Sequence, residues 1–143
     1  MKNKEIAALF SRIADALEIK GELAFKLLAY RKAAAVLEDL GEDIEAIAAE
    51  KKLQTVPGIG SGIAAKIEEY LNSGKMKKYK EALSGIPEGL LDLLEIQNLG
   101  ARTVQLAHKE LGVRNLADLK KVIRDGSLAA LRGMGEKIGR AHV

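Results

Sequence analysis

The stretch Val56-Pro57-Gly58-Ile59-Gly60-Ser61-Gly62-Ile63 decides the fold. No helix interior tolerates Pro57-Gly58, yet both flanks keep a helical rhythm. Ile44, Ile47 and Ala48 come before it, and Ile63, Ile67, Tyr70 and Leu71 follow on one face as far as Asn72-Ser73-Gly74. The plan recurs in Ile96-Gln97-Asn98-Leu99-Gly100-Ala101-Arg102-Thr103 and in Leu131-Arg132-Gly133-Met134-Gly135-Glu136-Lys137-Ile138. Each segment sets Gly-apolar-Gly, or Asn-apolar-Gly, between two helical patterns. Glycine permits a left-handed backbone and a close approach of chains, and Asn98 tolerates that conformation best after glycine. The central Ile59, Leu99 or Met134 can turn inward and lock its two helices together.

This spacing fits a helix-hairpin-helix, and the rest of the chain reads as helices around such hairpins. Ile6, Leu9, Phe10, Ile13, Ala14 and Leu17 predict a first helix over 3–19, with Asn3 as its N-cap. Leu23, Leu27, Tyr30, Ala34 and Leu37 predict a second, ending before Gly41. A basic helix is expected over 75–83. Gly85-Ile86-Pro87 then divides the chain into domains 1–84 and 85–143, with Pro87 in the first turn of a helix carrying Leu90, Leu91, Leu93, Leu94 and Ile96. A further helix ends at Leu111 with Gly112 as its stop. Another covers 116–123, and Ser127 is expected to cap a short one through Leu131. Strand-like alternation occurs nowhere. The fold class is therefore all-α: two small helical subdomains with tandem helix-hairpin-helix motifs.

Composition narrows the function. Hydrophobic residues at 48% and charged residues at 30% describe a soluble globular chain. Aromatics are only 3%, so the core must rest on Leu, Ile, Ala and Val in closely packed helices. The lack of cysteine excludes disulfides and thiolate metal sites, and His108 and His142 cannot build a zinc site alone. No apolar run approaches the roughly 20 residues of a bilayer span, and Met1-Lys2-Asn3-Lys4-Glu5 opens no signal peptide. A cytoplasmic protein without a membrane partner is expected, acting as a monomer. The net charge of +3 is unevenly spread. Residues 1–50 carry net −3, residues 51–80 net +5, residues 81–100 net −4 and residues 101–143 net +5. Localised positive charge beside the hairpins is what a polyanion-binding surface needs.

The hairpins supply the chemistry. The second helix of each begins with backbone N–H groups that lack intrahelical partners, at the positive end of the helix dipole. Such an end binds phosphate without reading bases. Gly58, Gly60, Asn98, Gly100, Gly133 and Gly135 form the turns, and Lys66, Arg102 and Lys137 add charge. Binding is expected to be independent of sequence and steeply dependent on salt.

The stretch Phe25-Lys26-Leu27-Leu28-Ala29-Tyr30-Arg31-Lys32-Ala33-Ala34 stands upstream of the first hairpin. Ile63-Ala64-Ala65-Lys66-Ile67 and Gly74-Lys75 follow it. Together they resemble the N-terminal region of a family X, polymerase-beta-like DNA polymerase of bacterial type. The resemblance covers essentially the whole chain. It implies a lyase-type domain over 1–84 that holds the 5′ side of a DNA gap. It also implies a fingers-like hairpin domain over 85–143, truncated from a longer polymerase. Lys66 stands where that family has its Schiff-base lysine. Lys26, Tyr30, Lys75 and Lys78 fall in the implied DNA-contacting set. The family implies a Na+ or K+ ion held by hairpin carbonyls with a DNA phosphate, from Gln54, Val56 and Ile59 in the first hairpin and Leu94, Ile96 and Leu99 in the second. The sequence departs from the family at three places. Gly62 replaces a phosphate-binding lysine, Ala65 replaces an acidic residue beside the lyase lysine, and Asn98 stands for glycine.

Three functional readings follow. The first is a DNA-gap-binding piece of a repair polymerase with deoxyribose-phosphate lyase activity through Lys66. Its partner is gapped or 5′-phosphorylated DNA, with divalent metal confined to the missing palm domain, because Asp118 and Asp125 form no Asp-x-Asp pair. The second is a non-enzymatic DNA-binding module, which covalent trapping separates from the first. The third is a protein-binding helical adaptor, which salt-dependent DNA binding separates from both. A Schiff base needs a neutral amine, and three features are expected to favour it at Lys66: the positive helix start after Gly60, the neighbouring lysines, and partial burial against Ile63, Ile67 and Tyr70.

Overall fold

The computed structural model describes residues 1–96 and 99–131. Every regular element among them is a helix: α1 (Asn3–Ile19), α2 (Ala24–Asp39), α3 (Ile44–Ala49), α4 (Ser61–Ser73), α5 (Lys77–Leu83), α6 (Glu88–Asp92), α7 (Ala101–Leu111) and α8 (Leu116–Arg124). Two short 3-10 turns, Leu53–Thr55 and Leu93–Glu95, lead into the first two hairpins. The third hairpin, with Gly133, Met134, Gly135 and Lys137, lies outside the described residues, as do Gln97, Asn98 and His142. Among the described residues no helix is long and apolar enough to cross a membrane.

The chain forms two compact units. The first holds residues 1–17 and 22–84, and the second takes up the chain from Gly85 together with Glu18–Gly21. In the first unit, Ile6, Phe10, Ile13 and Ala14 on α1 are wholly buried, as the helical spacing requires, and Leu37, Ile44 and Ile67 complete the floor. Each of these Ile, Leu and Phe side chains contributes about 1.5–3 kcal/mol of transfer free energy. Arg31 on α2 donates to Asp15 on α1 at 2.6 Å, a half-exposed pair that fixes orientation more than it adds stability. In the second unit Leu90, Leu93, Val104, Val113, Leu119 and Leu128 form the core.

Several local expectations change in the folded chain. Asn3 does not cap α1. It is buried, accepts the Ile44 N–H at 2.9 Å and donates to the Glu42 carbonyl at 2.6 Å, so it satisfies the first turn of α3 from the other end of the unit. Leu23 is no core residue: it precedes α2 as an exposed N-cap. The basic helix begins at Lys77, because Gly74 closes α4 with φ +74° and Met76 is the buried N-cap of α5. Pro87 is the N-cap of α6 rather than a residue of its first turn, and α6 ends at Asp92, passing into the 3-10 turn. Ser127 caps no helix: its N–H donates to Asp125 at 2.8 Å, its hydroxyl donates to the same carboxylate, and residues 127–130 form turns.

Candidate nucleic-acid interface

The first hairpin is built by one glycine for shape and another for access. Gly58 has φ +95°, and a Cβ there would lie 2.7 Å from Cγ2 of Val36 on α2. Only glycine meets both demands. Ile59 then turns inward, 3% exposed, while its N–H donates to the Val56 carbonyl at 3.0 Å. Gly60 opens α4 in an extended conformation, φ −88° and ψ −176°, with no side chain capping the helix. A Cβ at Gly60 would meet nothing within 4 Å, and the same holds at Gly62. No neighbouring atom fills that space, so the first turn of α4 is open.

The second hairpin repeats this geometry. Ile96 and Val56 both leave their 3-10 turns in extended conformation, at φ −73°, ψ 128° and φ −77°, ψ 121°. Leu99 is 4% exposed and donates its N–H to Ile96 at 3.1 Å. Gly100 opens α7 at φ −85°, ψ 168°, again with no side-chain cap, and a Cβ there would also meet nothing within 4 Å. Ala64 and Val104 donate to the carbonyls of Gly60 and Gly100 at 2.9 and 3.1 Å. An uncapped helix start, a geometry able to take a phosphate, is therefore present at two places, and Arg102 stands exposed in the first turn of α7.

Around the first hairpin lies a cleft of about 910 Å³. It is lined by Gly58, Gly60 and Gly62 of the hairpin, Lys26, Tyr30 and Lys32 of α2, Lys66 of α4 and Lys78 of α5. Lys66 is half-buried; its ammonium lies 5.8 Å from the centroid of the Tyr30 ring and 3.5 Å from the Gly62 carbonyl. A cation over an aromatic face at this range is attracted to it. Tyr30 in turn packs on Phe10, with ring centroids 6.1 Å apart. Burial, helped by the charge of Glu81, raises the Tyr30 hydroxyl above its ordinary value, so it stays a proton donor at neutral pH. Tyr70 does not take part: its hydroxyl donates to Glu5 on α1, and the Lys2 ammonium lies 5.9 Å from its ring. The ring beneath Lys66 comes from α2, not from α4.

A profile described as "Helix-hairpin-helix domain" matches residues 1–76. The chain belongs to this helix-hairpin-helix family. A second profile, "SAM-like Helix-hairpin-helix tandem", matches residues 90–141. The chain is 35% identical over 137 residues to the DNA polymerase/3'-5' exonuclease PolX of Bacillus subtilis (strain 168), covering 96% of this chain and 24% of that protein. It is 31% identical over 120 residues to the DNA nucleotidylexotransferase of Ambystoma mexicanum, covering 83% of this chain and 22% of that protein. With DNA polymerase lambda of Rattus norvegicus it shares 26% over 136 residues, covering 94% of this chain and 22% of that protein. The chain thus spans about a quarter of the length of the curated relatives it matches. These are family X polymerases, and the similarity lies in their N-terminal region. Hairpin domains and polymerase relatives together point to DNA as the ligand.

Of the residues singled out in the sequence, Lys26, Tyr30, Gly58, Gly60, Lys66 and Lys78 line one cleft, together with Gln54, Val56 and Ile59. Lys75 is exposed in the turn after α4 and does not line it. Gly100 and Arg102 stand at the second hairpin, with Leu94, Ile96 and Leu99 beside them. Asn98, Gly133, Gly135 and Lys137 lie outside the described residues. Sequence reasoning missed Lys32 and Glu22 as cleft residues. Lys32 lies six residues beyond Lys26, so the pair is not a simple i, i+4 match along α2. Glu22 precedes α2 and carries no motif at all.

Proposed function

We propose that this chain grips DNA through its phosphate backbone, and that its first unit holds the 5′ end of a gapped strand over Lys66. The cleft carries this reading: four lysines, a tyrosine kept as a donor and an uncapped helix start converge on one open space. The parent activity would be gap filling in base-excision repair by a cytoplasmic, monomeric polymerase. Nucleotide incorporation would belong to a palm domain beyond these residues. In the second unit the α7 start and Arg102 would hold duplex beside the gap.

The hairpin turns suit a monovalent cation. Among the described residues no group of three or more His, Asp or Glu side chains could hold a metal ion. The carbonyls of Val56 and Ile96 each accept one N–H, which leaves a second lone pair for a ligand. Neutral carbonyl oxygens match Na+ or K+ in charge and hardness. Gln54, Val56 and Ile59 would hold one such ion, and Leu94, Ile96 and Leu99 another, each balancing charge on a bound DNA phosphate.

Lys66 is the proposed lyase nucleophile toward a deoxyribose-phosphate aldehyde. Two experiments test the function. A gel-shift titration should show tighter binding to 5′-phosphorylated gapped DNA than to intact duplex; equal affinity refutes the gap reading. Borohydride should trap the chain on a pre-incised abasic site. If it does not, the non-enzymatic DNA-binding module is the correct description.

A further inference from the structure

We propose that Glu22 is the base that removes the sugar proton in this lyase reaction, an inference that rests on the lyase reading above. Ala65 leaves no carboxylate next to Lys66. The acidic residues that follow on α4 do not replace it. Glu69 accepts the Lys77 N–H at 3.0 Å, and neither it nor Glu68 lines the cleft. Among the described residues the cleft wall nevertheless contains one carboxylate, that of Glu22. Its backbone is fixed, because its N–H donates to the Leu17 carbonyl at 3.0 Å. Its side chain is 39% exposed and reaches Lys26 at 3.2 Å. Lys32, Lys78 and Lys26 are cations, and Tyr30 holds its proton, so Glu22 alone in the wall is suited to take one.

The chemistry balances without a co-reactant other than water. The Lys66 amine adds to C1′ of the ring-opened sugar, and water leaves to give an imine. The Glu22 carboxylate takes a proton from C2′. The electron pair of that C–H bond forms the C2′–C3′ double bond, and the C3′–O bond breaks, releasing the 3′ phosphate. The imine draws off the developing negative charge at C2′. Water then hydrolyses the unsaturated imine and frees Lys66, while Glu22 returns its proton to solvent. The pairing with Lys26 gives the resting carboxylate a partner that can turn to the DNA phosphate when substrate arrives.

The test separates imine formation from elimination. The substrate is DNA ending in a 5′-deoxyribose phosphate, with or without deuterium at C2′. Borohydride trapping reads the imine, and release of the sugar fragment reads turnover. Glu22→Gln should trap like wild type, release product about 10²-fold more slowly and show a larger deuterium effect. Glu22→Asp should recover part of the rate. Glu68→Gln, on α4 but outside the cleft wall, should release product normally. If Glu22→Gln traps and releases like wild type, Glu22 is not the base and the lyase reading survives. A gain in DNA affinity with unchanged release would reduce Glu22 to a partner of Lys26. Failure of wild type to trap overturns both readings.

Discussion

Gly60 and Gly100 open α4 and α7 with nearly the same backbone angles, but the two helices carry different side chains over their first turns. The second position is Gly62 in α4 and Arg102 in α7; the sixth is Lys66 in α4 and Leu106 in α7. One hairpin thus keeps its mouth empty and holds its cation deeper, over Tyr30. The other places its cation at the mouth and has an apolar residue where the first has an amine. On the proposed reading, a shared backbone device would serve a reaction cleft in one unit and a bare phosphate grip in the other. The turn would then fix where an anion sits, and one or two side chains on the following helix would decide what is done with it.

The largest effect should come from removing the feature that separates the hairpins most. Lys66→Ala should lose borohydride trapping down to background while retaining DNA binding, and Leu106→Ala should change neither. Trapping by Lys66→Ala at the wild-type level would erase the distinction. Next is the property the hairpins share. With about six phosphate contacts, affinity should fall roughly 10³-fold between 50 and 200 mM salt. Equal affinity at both salts would remove the phosphate grip altogether.

Smaller effects separate shape from access. Gly58→Ala should be less stable to thermal unfolding by about 1–3 kcal/mol, because it strains the backbone and meets Val36. Gly60→Ala and Gly100→Ala should melt like wild type, since their Cβ atoms meet nothing in the protein, and yet bind DNA more weakly. Reciprocal changes then exchange the mouths. Gly62→Arg should tighten binding to 5′-phosphorylated ends several-fold, and Arg102→Gly should weaken duplex binding and lower the salt slope by about one unit. Unchanged salt slopes would show that neither position meets phosphate.

The smallest effect lies outside both hairpins. The Tyr70 hydroxyl, and next the Lys2 charge, hold the Glu5 carboxyl below its ordinary value. A lowered folded-state value stabilises the protein above the ordinary glutamate range, about pH 4.3, and that contribution is lost as pH falls through the lowered value. Tyr70→Phe should move the Glu5 titration up towards the ordinary value by NMR, with DNA binding untouched at either hairpin.

The hairpins were legible because their signal is local. Gly-apolar-Gly between helical rhythms needs no knowledge of distant residues, and all-α followed from the same rhythm. What could not be read depends on contacts between remote positions. Helical periodicity puts Tyr70 on the face of Lys66, yet the ring under Lys66 arrives from α2, and Tyr70 turns to Glu5 on α1. Leu23 fits the apolar stripe of α2 but falls one residue before its first turn, where nothing covers it. Ser127 has the identity of a cap, but Asp125, two residues back, competes for its N–H. Glu22 was invisible because its importance comes from which cleft it faces.

The bonds of Asn3 bear on how this domain should be engineered. Its side chain ties together positions 41 residues apart in the chain, so the opening residues act as a clasp rather than a loose tail. A purification tag joined ahead of Met1, which is 76% exposed, should be harmless. Trimming the chain past Asn3 would leave the Ile44 N–H buried without an acceptor, a penalty of about 1–3 kcal/mol. Minimal versions of the domain should therefore be shortened from other places, and circular permutation that opens the chain near residue 3 should be avoided.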